Sequence, residues 1–372
     1  MKKIITMVGT SLYQNVKRKL NPSLRNDWDS LKDKSYEKRK DEYDTIQSIK
    51  EAIKEKWSDN ANTSAEIASI IKIQAELSTP ISVYLIATDT IHSYLCAELI
   101  KEWFEMSRQE NITILPSIHF IPDLQVKNKE RFETNGIVNL IEKINEIAQD
   151  GNYWDDCVFN ITGGYKAVIP FMTILAQING CPLYYVFEES EKESYELIKV
   201  PQAPISFDLS LFETHWDIFM KLESQPHVLI SELPSDFLRS AESCLYKDEK
   251  ECCLNSLGKM LWANYKKTFF LFYCSDEIFR KIDKLENIKR ILSGKFESYI
   301  RSKQKTEEKG VHLVYDDGNN GNRIYYFKNN EYIYIYEVFQ NENKAKDYIN
   351  SNLDKNKIMA ESKPQKLKLN PK

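Results

Sequence analysis

The chain has 372 residues, 42% of them hydrophobic and 28% charged, with a formal net charge of −4. That length gives two or three domains, and that charge excludes a wholly basic nucleic-acid binder. No apolar run approaches the ~20 residues that cross a bilayer, so no membrane partner is expected. Seven cysteines without a Cys-x-x-Cys pair, and a Met1-Lys2-Lys3 start that leads into a strand, give the expectation of reduced thiols, no zinc and a cytoplasmic location.

In chain order, Ile4 to Val8 reads as a first strand, followed by a small-residue turn at Gly9-Thr10-Ser11 and a helix. Residues 16–62 are polar, with Trp28 and Trp57 as anchors and a helix predicted over Tyr36–Trp57, its stripe running Tyr43, Ile46, Ile49, Ile53, Trp57. Ala65 to Leu77 reads as another helix. Strand and helix then alternate over 81–87, 92–108, 112–121, 131–149, 157–161, 166–178 and 182–188, with an edge strand at 195–198. The alternation predicts a Rossmann-like α/β domain over 1–205, a parallel sheet covered on both faces and closed off by Pro201 and Pro204. Strand 81–87 ends in Thr88-Asp89-Thr90, and strand 157–161 in Thr162-Gly163-Gly164, after which Lys166 opens a helix. A strand, a glycine turn and a helix start form an anion site, because backbone N–H groups and the helix dipole both favour negative charge. The pattern is neither Gly-x-Gly-x-x-Gly nor a P-loop. The plainer reading is a tight turn with a solvated lysine. In a doubly wound sheet these three loops would share one crevice at the strands' carboxyl ends.

Residues 206–270 carry short helical patterns over 208–222, 234–246 and 250–256 and look like a small, mainly helical, winged-helix-like domain. Asp236, Glu242, Asp248, Glu249 and Glu251 would repel phosphate, which favours a connector over a DNA reader. Residues 271–355 read as an α+β domain. Helices are predicted over 276–302, strands over 312–315, 323–327 and 332–339 with hairpin turns between them, and a helix over 343–353. Residues 356–372 read as a flexible basic tail, with Lys355 just before it and Lys357, Lys363, Lys366, Lys368 and Lys372 within.

The strand-Gly9-Thr10-Ser11-Leu12 opening and the later Asn160-Ile161-Thr162-Gly163-Gly164-Tyr165-Lys166-Ala167 string resemble the CARF domain (CRISPR-associated Rossmann fold), which senses cyclic oligoadenylates made by type III CRISPR complexes. The resemblance implies that Thr10, Ser11, Thr162, Gly163, Gly164 and Lys166 contact the ligand, with Gly9, Thr88 and Asp89 close by. It also implies a homodimer with a cyclic tetra-adenylate (or hexa-adenylate) across its two-fold axis, since a symmetric ring suits an isologous site. Farther on, Asn322-Arg323-Ile324-Tyr325-Tyr326-Phe327 is similar to the strand of RelE-type toxins, mRNA interferases that cut in the ribosomal A site. These use no metal or cofactor; the ribose 2′-hydroxyl attacks the phosphate and the protein stabilises the charge, a task that suits a bidentate arginine. The resemblance implies Arg323 as catalytic, with Tyr325 on its face and Lys328, Lys344 and His312 as candidates for acid, base or phosphate contact; mRNA and the ribosome are the implied partners. The stretch Phe339 to Lys344 departs from the family's usual basic pattern after the last strand. Two other nuclease classes find no support. The residues five before His92, His119, His215, His227 and His312 include no arginine, so the HEPN pattern Arg-x4-His is absent, and the C-terminal strands carry no Asp/Glu-x-Lys triplet. The expectation is a type III CRISPR effector, an endoribonuclease gated by cyclic oligoadenylate. The alternatives are a winged-helix transcription regulator, and a sensor that also cleaves its own ligand.

Overall fold

The computed structural model describes every residue except 58–59, 126, 150–152, 190–193, 205, 226, 295–304, 317, 319–320, 331 and 370–372. Contacts divide the chain into two compact units, Met1–Phe207 and Asp208–Lys372.

The first unit is built on strands β1 (Lys2–Val8), β2 (Ile81–Ala87), β3 (Ile112–Ile114), β4 (His119–Phe120), β5 (Cys157–Asn160), β6 (Leu183–Glu189) and β7 (Ser194–Val200). Their order is β3-β2-β1-β5-β6-β7, with β4 following β3 along the same edge of β2. All pairs are parallel except β7 on β6. Ile4, Ile5, Thr6, Met7 and Val8 are all fully buried, so both faces of β1 are covered, and this is why the strand reads as a nearly continuous apolar run. The strand order reverses between β1 and β5, which opens a crevice at their carboxyl ends.

Three local expectations change. The strand predicted over 112–121 is two short strands, because Pro116 lacks the N–H that a ladder needs. The helix predicted over Tyr36–Trp57 is a 3-10 turn, Tyr36–Lys40, and a helix, Tyr43–Lys56, whose Ile46, Ile49 and Ile53 are buried while Tyr43 is exposed. Lys166 opens a 3-10 turn, Lys166–Val168, and the α-helix proper begins at Ile169, with Pro170 in its first turn.

Trp28 lies between Tyr13 and His92 in a parallel stack with ring centroids 3.7 and 4.0 Å apart, and His92 Nε2 lies 2.8 Å from the Trp28 carbonyl. Burial lowers the His92 pKa, outweighing that carbonyl, so the folded imidazole stays neutral where the unfolded one takes its proton. The stack is therefore fully stabilising above about pH 6.5 and weakens as pH falls towards the lowered folded pKa. Denaturation midpoints measured from pH 8 to pH 5 should fall more steeply for the wild type than for His92→Gln, the gap between them narrowing at the acid end.

The second unit carries a small sheet of β8 (Val228–Leu229), β9 (Leu245–Lys247) and β10 (Glu251–Leu254), ordered β8-β10-β9. The helices expected over 234–246 and 250–256 reduce to Ser235–Ser240 and a hairpin; in β10 the buried Cys252 and Leu254 alternate with more exposed neighbours, a strand period. A helix, Ser256–Lys266, follows. The larger sheet contains β11 (Phe269–Cys274), β12 (Thr306–Lys309), β13 (His312–Asp316), β14 (Arg323–Asn329), β15 (Tyr332–Phe339) and β16 (Lys363–Lys368), ordered β12-β13-β14-β15-β11-β16. β13, β14 and β15 are the expected meander, whereas β11, β12 and β16 were not expected. β11 spans the expected boundary at 270, and Leu271 and Tyr332 share one core with Phe212, Phe219 and Trp262. The supposed flexible tail is a helix, Lys355–Glu361, followed by β16, whose Lys366 and Lys363 pair with Glu213 (2.6 Å) and Asp276 (2.5 Å).

Glu223 fastens this core. It pairs with Lys266 at 2.6 Å, accepts from Trp262 Nε1 at 2.9 Å and accepts from the Tyr332 hydroxyl. Burial would raise its pKa, but Lys266 and the two neutral donors prevail and hold it below the usual carboxylate value. Its contribution is present above the unfolded carboxylate pKa and is lost as pH falls through the lower, folded one. Glu223→Ala leaves Lys266, Trp262 and Tyr332 without their acceptor, and chemical denaturation should show a loss of about 3 kcal/mol.

Candidate functional site

At the β1/β5 switch point the loops after the two strands meet. A Cβ on Gly9 would lie 2.8 Å from the Gly164 nitrogen; one on Gly163 would lie 2.3 Å from Glu66 Oε1 and 2.7 Å from the Met7 carbonyl oxygen. Gly164 has a φ of +85°, which L side chains rarely adopt. Only glycine lets the two backbones approach this closely. Neither Gly163 nor Gly164 uses its N–H in a hydrogen bond among the described residues, so both remain available to an anion. Lys166 is exposed beside them.

The loops rest on Glu66, which the sequence reading did not single out. It sits in the first turn of the Ala65–Leu77 helix and is 1% exposed. Its Oε1 accepts the Gly9 N–H at 2.9 Å; its Oε2 accepts the Ser64 hydroxyl at 2.9 Å and the Ser11 hydroxyl. Glu66 reads in sequence as an ordinary first-turn acid behind a Ser64 cap. Only the strongly apolar helix around it, with Ile67, Ala68, Ile70 and Ile73 buried, hints that a carboxylate here must be burying itself against partners.

The hydroxyls expected to meet ligand are mostly spent on the fold. The Ser11 oxygen accepts from the Ala65 N–H at 3.1 Å and donates to Glu66. Thr162 donates to Asn160 Oδ1 at 2.7 Å and accepts from the Val186 N–H at 3.0 Å. The fully buried Asn160 donates in turn to Ser69 at 2.8 Å, tying β5 to the Glu66 helix. Thr88 is buried, 3.2 Å from the Thr90 hydroxyl, and burial raises the Tyr165 pKa. Asp89 Oδ1 accepts from Ser35 Oγ (2.9 Å) and the Tyr36 N–H (3.1 Å), and its Oδ2 from the Asp123 N–H (3.0 Å). Ser11, Thr162, Thr88 and Asp89 thus position the loops. That leaves the Gly163 and Gly164 N–H groups, which carry no hydrogen bond among the described residues, the half-buried Thr10 and the exposed Lys166.

In the second unit the structure brings together two of the five expected catalytic residues, His312 and Tyr325, whose ring centroids lie 5.5 Å apart. Arg323 is 5% exposed; it forms an ion pair with Asp316 at 2.9 Å, donates to the Asn322 carbonyl at 2.9 Å, and lies 3.9 Å from Glu342. Tyr325 is fully buried and donates to the Ala345 carbonyl at 2.6 Å. His312 is 1% exposed, with the Tyr336 hydroxyl at Nδ1 (2.9 Å) and the Ser351 carbonyl at Nε2 (3.0 Å). Both are core residues here, because Val314, Tyr325, Phe327 and Tyr336 are covered by Ala345, Tyr348, Ile358 and Met359 of the following helices. Lys344 is exposed, and Lys328 is exposed five residues along β14 from Arg323, roughly 17 Å away.

Residues 61–203 match the model of a family described as CRISPR-associated protein (Cas_APE2256). The match lies within the first unit; it takes in Glu66, Thr88, Asp89 and Thr162 to Lys166, and begins beyond Gly9, Thr10 and Ser11. No curated protein matches the chain. Among the described residues no helix is long and apolar enough to cross a membrane.

Proposed function

We propose that the chain is a type III CRISPR effector in which a cyclic oligoadenylate, tetra-adenylate before hexa-adenylate, binds a homodimer of the first unit and activates a metal-independent, RelE-like ribonuclease in the second. The observation that carries the sensor half is the meeting of the Gly9 and Gly163-Gly164 backbones at the switch point beside an exposed lysine, with Gly163, Gly164 and Lys166 inside a segment similar to a CRISPR-associated family. Backbone donors and one ammonium suit a phosphodiester, which carries one negative charge and presents two unbridged oxygens.

The ribonuclease half rests on the Arg323 strand and its meander, backed by the Asp276–Lys284 and Glu286–Gly294 helices. Arg323 is masked by Asp316, so ligand has to favour a state in which the guanidinium is released. A DNA-reading role finds less support, because the Ser235–Ser240 helix is six residues long, carries Asp236 with Arg239, and leads into a 3-10 turn, Glu242–Cys244, before the β9–β10 hairpin. The test uses translating ribosomes with a defined mRNA and purified protein, with and without cyclic tetra-adenylate. A-site cleavage that needs the ligand is expected. Ligand binding without cleavage would overturn the ribonuclease half, and failure to bind either ring would overturn the sensor half.

A further inference from the structure

A second charged cavity, of about 500 Å³, lies at the carboxyl end of the same sheet, lined by side chains of the segment 32–38 and, after β4, by Asp123, Gln125, Lys127, Asn128 and Arg131. That volume is within the range of small-molecule sites. Its lining includes Lys32, Lys34, Lys38, Lys127 and Arg131 against only Asp33 and Asp123, a local positive excess on a chain whose net charge is −4. Lys34 is engaged by Glu42 at 2.5 Å, and Arg131 reaches Asp123 at 3.7 Å. Lys32, Lys38 and Lys127 are exposed and carry no ion pair among the described residues.

The walls are fixed rather than incidental. Asp89 holds both, accepting from Ser35 and Tyr36 on one side and from Asp123 on the other. Asp33 and Asp123 each hold a left-handed backbone, φ +59° and +60°, of the kind that persists where surrounding contacts enforce it. Asp89 stands between Thr88 and Thr90 in the loop after β2, at the carboxyl end of the sheet that also carries the glycine loops.

We propose that this cavity is a second phosphate site that takes phosphate groups of the nucleotide ligand lying beyond the reach of the glycine loops, an inference that rests on the ligand reading above. The phosphates belong either to the ring itself or to a linear, 5′-phosphorylated oligoadenylate. The full-length protein, its Lys32→Gln/Lys38→Gln/Lys127→Gln triple variant and Lys166→Ala would be titrated with cyclic tetra-adenylate and with linear 5′-phosphorylated tetra-adenylate over a salt series. If the ring reaches the cavity, the triple variant binds it about tenfold more weakly, and its log-log salt slope drops by roughly 2, near 0.7 per lost phosphate contact. If the triple variant loses only the linear ligand, the site stands and its occupant is the linear species. Unchanged affinity and slope for both ligands overturn the inference, and a ring affinity lost in Lys166→Ala then keeps the ligand reading standing. If the wild type binds no ring, the ligand reading falls and the linear arm alone decides.

Discussion

Gly163→Ala should lower affinity for cyclic tetra-adenylate at least a hundredfold, the largest effect of any single methyl group in the first unit. The added Cβ would stand 2.3 Å from Glu66 Oε1 and 2.7 Å from the Met7 carbonyl oxygen. Neither neighbour can yield easily. Met7 is in the middle of the sheet, and Glu66 can turn away only by dropping the half-buried Gly9 N–H and Ser11 hydroxyl and the fully buried Ser64 hydroxyl. The loop itself must move, which separates the Gly163 and Gly164 N–H groups from Lys166 and costs about 2–3 kcal/mol of stability. Calorimetric titration and a denaturation curve check both consequences. Lys166→Ala, at an exposed position with no structural load, guards against an unfolded variant and should lose about tenfold with no change in melting temperature. Wild-type affinity in both variants would exclude the switch point as the ligand site.

How much of this was legible in the sequence follows from the range of the interactions. Strands β1, β2, β5 and β6 and the β13–β15 meander announced themselves because their apolar runs and alternation are local properties. β11 and β16 did not, although they pair residue for residue from Phe269 with Lys368 to Cys274 with Lys363, because nothing near Lys363-Pro364-Gln365-Lys366 betrays a partner strand some 90 residues earlier. A lysine-rich strand whose charges meet Glu213 and Asp276 looks, in one dimension, like a solvated tail. The same blindness explains the site. Thr162 and Ser11 carry hydroxyls in glycine turns and so suggested ligand contacts, but Asn160 and Glu66, distant in sequence or plain in context, claim those hydroxyls. The basic cavity joins two segments about 90 residues apart, neither conspicuous alone. For His312 and Tyr325 the sequence offered the right atoms and could not show that helices from 342 onward would cover them.

Arg323→Ala should reduce ligand-stimulated mRNA cleavage by a factor of about 10²–10³, the scale of losing one positioned donor to a developing oxyanion, and Arg323→Lys should recover little, because an ammonium lacks the planar fork. That outcome alone would not separate a catalytic arginine from a structural one, since the guanidinium is buried and paired with Asp316 at 2.9 Å. Asp316→Asn separates them. The amide keeps the shape and one acceptor but gives up the charge, while Glu342, 3.9 Å away and half exposed, still faces the guanidinium. If the pair is purely structural, the substitution costs stability, up to the 3–5 kcal/mol of an uncompensated buried charge, and leaves ligand-free cleavage at background. If the pair is a mask, weakening it shifts the population towards the released arginine, and cleavage without cyclic tetra-adenylate rises severalfold while ligand-saturated cleavage stays the same. The mask is the expected result. A second comparison fixes its origin: the double variant Asp316→Asn/Arg323→Ala must return ligand-free cleavage to background, because a gain that persists without the arginine would come from loosening elsewhere in the unit and not from the guanidinium.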